Sequence, residues 1–242
     1  MKPYHIYKDT MPIRAIGFDI DGTLYAASRL YGKLFVQGVR RLRLLLAFNE
    51  VRHELRALVS SPEYRARGID SVEKLHRFQA ELTARRLGAD AERTYRDIES
   101  FFYTASLKPF ADIPTYPGVG ALLDELRSSG LRLGALSDFP CDEKVELLGL
   151  SGKFDVSMTS EETGLVKPDR ASFDLLARRL GVRNDEILYV GNSERYDVRG
   201  ALGAGMRAAL ISRNKAVKTA AEFVFFDFAD LGRYVREITR KS

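Results

Sequence analysis

The stretch Phe18-Asp19-Ile20-Asp21-Gly22-Thr23-Leu24-Tyr25 follows Arg14-Ala15-Ile16-Gly17, a short apolar run that reads as a buried strand. Two carboxylates two residues apart therefore stand where a strand ends. In an open α/β sheet, ligands bind at the carboxyl ends of the strands, which puts an acid pair there in position for chemistry. Residues i and i+2 of an extended segment point the same way, so Asp19 and Asp21 can share one small site. A metal ion there would relieve their repulsion, leaving one acid as a nucleophile and the other as a proton carrier. Gly22 lets the backbone turn sharply. The alternative for the same letters is a strand followed by an ordinary Asp-Gly turn.

Outward from this stretch the chain changes character twice. From about Ser28 to Leu107 it has helical periodicity and few strand-like runs. Val39, Leu42, Leu46, Phe48, Val51, Leu55 and Leu58 form one apolar stripe flanked by arginines. Asp70 to Leu75 reads as a helix start, with Leu75, Phe78, Leu82 and Leu87 continuing one face to a stop at Gly88. A further helix is expected from Ala91 to Ala105. From Tyr116 onward helices and strands alternate, the signature of parallel βαβ units. Strands are expected at Leu131–Leu136, Phe154–Met158, Glu186–Val190 and Arg207–Ile211, with Phe223–Phe226 as a last edge strand. The expected fold is α/β: a Rossmann-like core with a parallel sheet and helices on both faces, plus an all-helical cap inserted after the first core strand. The boundaries follow as core 1–26 and 112–242, cap 27–111. Insertions of this size are lids more often than separate functions.

The composition, 45% hydrophobic and 29% charged over 242 residues, is that of a globular chain. No apolar run approaches the roughly 18 residues of a membrane span. The start, Met1 to Asp9, has no apolar segment like that of a secretory signal, and the single cysteine, Cys141, fits a reducing compartment. The expectation is a cytosolic protein. The net charge of +5 is concentrated between Arg29 and Lys108, where 16 Lys or Arg stand against 10 Asp or Glu. Such a surface attracts anionic partners or is simply solvated. There is no nucleic-acid motif and no tryptophan for base stacking.

Other strand ends offer groups that match the acid pair. Leu136-Ser137-Asp138-Phe139 has a hydroxyl and backbone N–H groups able to hold a phosphate oxygen. In Gly164-Leu165-Val166-Lys167-Pro168-Asp169 the proline holds the preceding lysine extended, so that Lys167 can reach inward. Val190-Gly191-Asn192-Ser193-Glu194-Arg195-Tyr196-Asp197 brings an amide and a carboxylate to a helix start. Taken singly, each has a bland reading as turn residue, solvated lysine or N-cap. Asp-x-Asp-Gly-Thr, a post-strand Ser, Lys-Pro-Asp and Gly-Asn-Ser with Asp five residues after the Asn, in this order, resembles the haloacid dehalogenase superfamily across nearly the whole chain.

The resemblance implies a Mg²⁺-dependent phosphatase with an α-helical cap, acting on a small phosphorylated substrate. It implies that Asp19 attacks phosphorus and that Asp21 protonates the leaving oxygen, then deprotonates the hydrolytic water. Lys167 would keep Asp19 ionised and, with Thr23, Ser137 and Asp138, hold the substrate. Mg²⁺ would lie on Asp19, the Asp21 carbonyl, Asn192 and Asp197. Many members carry Asp where this chain has Asn192, which implies weaker metal binding. Asp21 speaks against the metal-free dehalogenase branch. Gly22 to Tyr31 and Pro114 to Gly118 would be the hinge segments. His53 and His76 are expected on helix surfaces. Two other functions remain open at this stage: a phosphomutase or phosphotransferase using the same phospho-aspartate, and a binding module that uses the basic cap.

Overall fold

A computed structural model describes residues 11–30, 32, 41–59, 61–105, 107–214 and 216–240. Its centre is a six-stranded sheet made of β1 (Ala15–Phe18), β2 (Arg132–Ser137), β3 (Val156–Thr159), β4 (Ile187–Gly191), β5 (Arg207–Ile211) and β6 (Phe223–Phe225). The strands run parallel in the order β3-β2-β1-β4-β5-β6. The chain leaves β1 for β2 and β3 on one side, then crosses back to β4 on the other. The order therefore reverses at β1, and in sheets of this kind the ligand crevice opens above the carboxyl end of that switch point. Asp19 is the first residue beyond β1, and its amide N–H donates to Val190 O at 2.9 Å.

Alternation along the strands builds two cores. Ile16, Phe18, Leu133, Ala135, Leu188 and Val190 pack with α5 (Val119–Ser128), α6 (Asp142–Leu147) and α9 (Phe228–Arg240) on one face. Ala15, Leu136, Ile187 and Tyr189 pack with α7 (Arg170–Leu180) and α8 (Arg199–Ala204) on the other. Glycine matters where α7 crosses the sheet. A Cβ on Gly17 or Gly134 would lie 3.1 Å or 2.7 Å from a methyl of Leu176.

Among the described residues between β1 and α5 the elements are helical: α1 (Leu42–Leu58), α2 (Pro62–Arg65), α3 (Val72–Leu87), α4 (Ala91–Ile98), a π-helical turn (Glu99–Ala105) and a 3₁₀ turn (Lys108–Asp112). Local chemistry explains their ends. The Ser71 side chain caps the first turn of α3, and Gly88 ends it at a φ of 63°. The chain enters and leaves this block side by side: Tyr25 bridges Thr115, and Tyr116 N–H donates to Leu24 O at 2.8 Å. Both expected hinge segments thus touch, although Tyr31 lies outside the described residues.

Sequence expectations for the helical block need correction in α1, in the helix from Ala91 and in α3, where His76, Gln79 and Thr83 are buried with Leu75 while Phe78, Leu82 and Leu87 are only half-buried. The α1 stripe is rotated: Phe48, Val51, Arg52 and Leu55 are buried, whereas Leu42, Leu46 and Leu58 are exposed. Val39 lies outside the described residues. The rotation follows from Arg52, whose guanidinium turns inward to the core carboxylate Glu161. The helix expected from Ala91 to Ala105 is α-helical only to Ile98 and then widens into the π turn. That turn brings Tyr103 to Glu161 at 2.9 Å, while Glu99 meets His76 at its start.

Candidate active site

Four segments converge above β1. From the end of β1, Asp19 is buried, and its two oxygens are held differently. Lys167 Nζ donates to Oδ1 at 2.7 Å, and the Thr23 hydroxyl donates to Oδ2 at 2.7 Å. Lys167 Nζ also donates to Asp197 Oδ1 at 2.8 Å, so one ammonium serves two carboxylates. Burial and the Asp197 charge push the Asp19 carboxyl up, against Lys167, to about 7. Lys167 itself, desolvated but facing Asp19 and Asp197, is held well above the ordinary lysine value.

Asp21 has another environment. Tyr25 donates its hydroxyl to Oδ1 at 2.6 Å, and Lys144 Nζ and the Ser137 hydroxyl donate to Oδ2 at 2.7 Å and 2.9 Å. Burial favours the neutral acid, but Lys144, Tyr25 and Ser137 outweigh it and hold the carboxyl below its usual range. Gly22, at a φ of 87°, turns the chain away and leaves room for Asn192, whose side-chain nitrogen would lie 2.0 Å from a Cβ there.

Asn192 Nδ2 donates to the Asp21 carbonyl at 3.1 Å. The other Asp197 oxygen, Oδ2, accepts from the backbone N–H groups of Asn192 and Ser193 at 3.1 Å and 3.0 Å. A Cβ on Gly191 would lie 2.3 Å from Asp197 Cβ, so only glycine permits this approach. Asp138 accepts from Ser160 Oγ at 2.6 Å, from Lys167 N–H at 3.3 Å and from Arg56 at 2.9 Å. Burial notwithstanding, Lys167, Arg56 and Arg52 keep it strongly acidic. All eight residues singled out in the sequence are present here. Thr23 and Asp138, expected to hold substrate, spend their side chains on Asp19 and on Arg56 and Ser160.

The donor set suits a hard divalent cation: the Asp19 carboxylate, the Asp21 carbonyl and, after an amide rotation, the Asn192 oxygen. Asp19 and Asp197 share a single ammonium, so added positive charge fits. Among the described residues no group of three or more His, Cys, Asp or Glu makes a metal site by itself, in keeping with a set that relies on carbonyl and amide oxygens.

Several residues of the site were not legible in advance. Lys144 stands in the middle of the short α6, and nothing in its local sequence marks a counter-anion. Arg52 and Arg56, one turn apart on α1, come from the cap. Arg52 pairs with Glu161 and donates to Asp138 O at 2.9 Å, and its guanidinium lies 4.6 Å over the Phe139 ring.

The surface assignment of His76 is overturned. It is buried, with Nδ1 2.6 Å from Glu99 and Nε2 3.0 Å from Glu161, and its ring stacks on Tyr103 at 3.9 Å. Apolar periodicity misses His76 because the buried face of its helix is partly polar, with Gln79 and Thr83, and it shows nothing of the core carboxylate waiting across the interface. His53 is exposed, as expected, near Tyr196. Burial disfavours the His76 imidazolium, but the hydrogen bonds to Glu161 and Glu99 outweigh it and raise its pKa to about 9. Its raised folded value means that the stabilisation is complete below the ordinary value of 6.5 and fades as pH rises through about 9. The margin of the native chain over His76→Gln in urea denaturation is expected to shrink between about pH 6 and about pH 9.5. A pH-independent margin would refute a charged latch.

A family model described as haloacid dehalogenase-like hydrolase matches residues 13–205. The chain belongs to this family. Among curated relatives, glyceraldehyde 3-phosphate phosphatase of Methanopyrus kandleri is 34% identical over 84% of this chain and 85% of its own length. Phosphoglycolate phosphatase of Rhodospirillum rubrum is 32% identical over 61% of this chain and 64% of its own. Among solved structures, 2-haloacid dehalogenase from Pseudomonas syringae aligns with a TM-score of 0.65 at 23% identity, covering 93% of this chain and 99% of that one. HAD phosphatase from Thermococcus onnurineus aligns at 0.59 and 24%, covering 92% and 98%. At those identities the structural likeness speaks for the fold, which this HAD hydrolase shares. As a phosphatase-like member it is a phosphoric monoester hydrolase.

Proposed function

We propose that this HAD hydrolase is a Mg²⁺-dependent phosphatase that cleaves a phosphorylated small molecule through an aspartyl-phosphate on Asp19. One observation carries the reading: two acids two residues apart are given opposite surroundings. Asp19 shares Lys167 with Asp197, and Asp21 is gripped by Lys144, Ser137 and Tyr25. Acid pairs in unlike environments are the usual mark of two distinct roles, and here the resting shifts, Asp19 up and Asp21 down, must be reversed by the bound phosphoryl group and metal before those roles are taken.

In this reading a carboxylate oxygen of Asp19 attacks phosphorus, and the bond from phosphorus to the leaving oxygen breaks. Lys167 favours the ionised nucleophile against the effect of burial and holds it in place, and Thr23 fixes its second oxygen. Asp21 gives its proton to the leaving oxygen. It then takes a proton from the water that attacks the phospho-aspartate, releasing inorganic phosphate and restoring Asp19. An incoming phosphoryl group competes for Ser137 and Lys144, the two donors that hold one Asp21 oxygen, and so frees Asp21 to carry a proton. Mg²⁺ on Asp19, the Asp21 carbonyl and Asn192 would supply charge neutralisation at the phosphoryl oxygens. Asp197 would support it through the Asn192 and Ser193 backbone. Asp138 acts through Arg56 and the Ser137 loop.

The division into core (1–26 and 112–242) and cap (27–111) belongs to the same reading, with the cap as the lid that excludes water. No helix among the described residues is long and apolar enough to cross a membrane. The buried free thiol of Cys141 fits the cytosol.

The test is phosphate release from an aryl phosphate, which is expected with Mg²⁺, lost in chelator and restored on adding Mg²⁺ back. Release that chelator leaves untouched would defeat the metal-dependent reading. Because Asn192 brings no charge, Asn192→Asp is expected to lower the half-saturating Mg²⁺ concentration severalfold. Calorimetric Mg²⁺ titration of both proteins checks this, and equal affinities would remove the amide from the coordination shell.

A further inference from the structure

A recess of about 1080 Å³ opens from the catalytic aspartates between core and cap. Pockets that enclose drug-sized ligands span roughly 300–1000 Å³, so a phosphoryl group with two or three carbons would occupy only the floor. The floor is polar, with Asp19, Asp21, Lys144, Lys167 and Asn192. The walls are of another kind. The Tyr25 ring, whose hydroxyl holds Asp21, meets Phe110 edge to face at 5.4 Å. Lys144 Nζ lies 5.3 Å from the Phe110 ring centre and 5.9 Å from that of Phe139. Leu107 of the cap and, on α1, Leu45 and Leu42 line the same recess, with Asn49, His53 and Arg56 of α1 beside them. Leu42 and Leu45 are three residues apart and face the same way. The apolar side of α1 that the sequence assigned to packing is therefore partly spent on the recess: Leu42 keeps 47% of its surface exposed.

The width of the recess is a property of a docked cap. Arg52, seven residues along α1 from Leu45, is locked into the core by Glu161, and Glu161 is also held by His76 and Tyr103. On the neighbouring cap segment Tyr64 donates to Gly164 O at 2.7 Å, and a Cβ on Gly164 would lie 2.3 Å from Ile69 O. The helix bearing Leu42 and Leu45 is thus fixed over the site at this distance.

We propose that the recess is a leaving-group subsite, and that the substrates of this enzyme are phosphate monoesters with a bulky apolar leaving group, such as an aryl or medium-chain alkyl group. This rests on the phosphatase reading for the position of the phosphoryl group. The leaving oxygen faces Asp21, whose surroundings beyond Lys144 and Ser137 are Tyr25, Phe110 and Phe139. A group attached to that oxygen runs along these rings toward Leu45. Each apolar carbon buried against these rings and leucines strengthens binding, while Arg52 and Arg56 of α1, which also line the recess, are already paired with Glu161 and Asp138.

Alkylphosphonates test the subsite without turnover, because their P–C bond is not cleaved by this chemistry. Ethylphosphonate and hexylphosphonate are titrated calorimetrically into the full chain with Mg²⁺ present. Hexylphosphonate is expected to bind at least about tenfold more tightly, a modest return on four added methylenes. Leu45→Asp is expected to bring that ratio down toward one, and Leu45 is only half-buried, so the fold should tolerate the change. Equal affinities in the native chain would overturn the subsite, as would a ratio that Leu45→Asp leaves intact. Failure of the phosphatase reading is seen separately, as absence of phosphate release from aryl phosphate. A protein that releases phosphate but does not discriminate the phosphonates loses the subsite alone.

Discussion

Asp19→Asn is expected to lower phosphate release by roughly 10⁴-fold or more, the scale seen when a nucleophile is removed from a preorganised site. The substitution keeps the shape of the side chain and one acceptor oxygen for Lys167, while its amide nitrogen faces the Thr23 hydroxyl, which can turn to accept from it, so the main loss is nucleophilicity. Because the amide cannot form the phosphorylated intermediate, single-turnover experiments should show no phosphoprotein. The same change removes one of the two carboxylates that share Lys167 in a buried site. In chelator, the variant is therefore expected to melt at or above the temperature of the native chain, a stability gained where activity is lost. Turnover within tenfold of the native enzyme would assign the chemistry to another group.

The largest expected effect on stability is at Glu161. It is 1% exposed and receives Arg52, His76 and Tyr103, three groups from three different cap segments. Burial favours the neutral acid, but Arg52 and His76 outweigh it and hold Glu161 below its usual range. Glu161→Ala takes the carboxylate from the buried Arg52 guanidinium, which keeps only neutral acceptors in Gln79 and the Asp138 carbonyl, and leaves the His76 imidazolium with Glu99 alone. Truncating one partner of a buried charge pair costs about 3–5 kcal/mol, most of it the penalty of the charge left behind. Much of this is expected to appear as release of the cap, because the core cluster around β1 has no member in this network. Hydrogen exchange should then accelerate in α1 and α3 while β1, β2 and β4 stay protected. A loss below about 1 kcal/mol, or protection lost evenly through both parts, would refute the latch. Arg52 also donates to the carbonyl of Asp138, so release of the cap should loosen the loop that follows Ser137.

How much was legible is seen best by comparing particular residues. Arg207–Ile211 stands as a strand with the expected bounds, and the other core strands fall within a residue or two of expectation, because parallel strands buried on both faces leave continuous apolar runs. Asp19, Asp21, Lys167 and Asp197 were found because they follow strand ends in a fixed order. Lys144 was not, since a lysine on a short helix looks the same whether it meets solvent or a buried carboxylate. Arg52 was passed over and His76 misread for a related reason. Their partner, Glu161, is 109 residues from Arg52 and 85 from His76 in sequence, and periodicity along one helix carries no information about a charge on another element.

The sequence by itself determined the family, the parallel core, the helical insertion and the acid pair at the end of β1, because each is written in local spacing or in the order of short motifs. The tertiary structure decided what surrounds those acids. It set Lys144, Ser137 and Tyr25 against Asp21, latched the cap through Glu161, and turned Leu42 and Leu45 toward the recess. Those outcomes depend on which elements meet after folding, and the packing of distant elements against one another leaves no period in the chain.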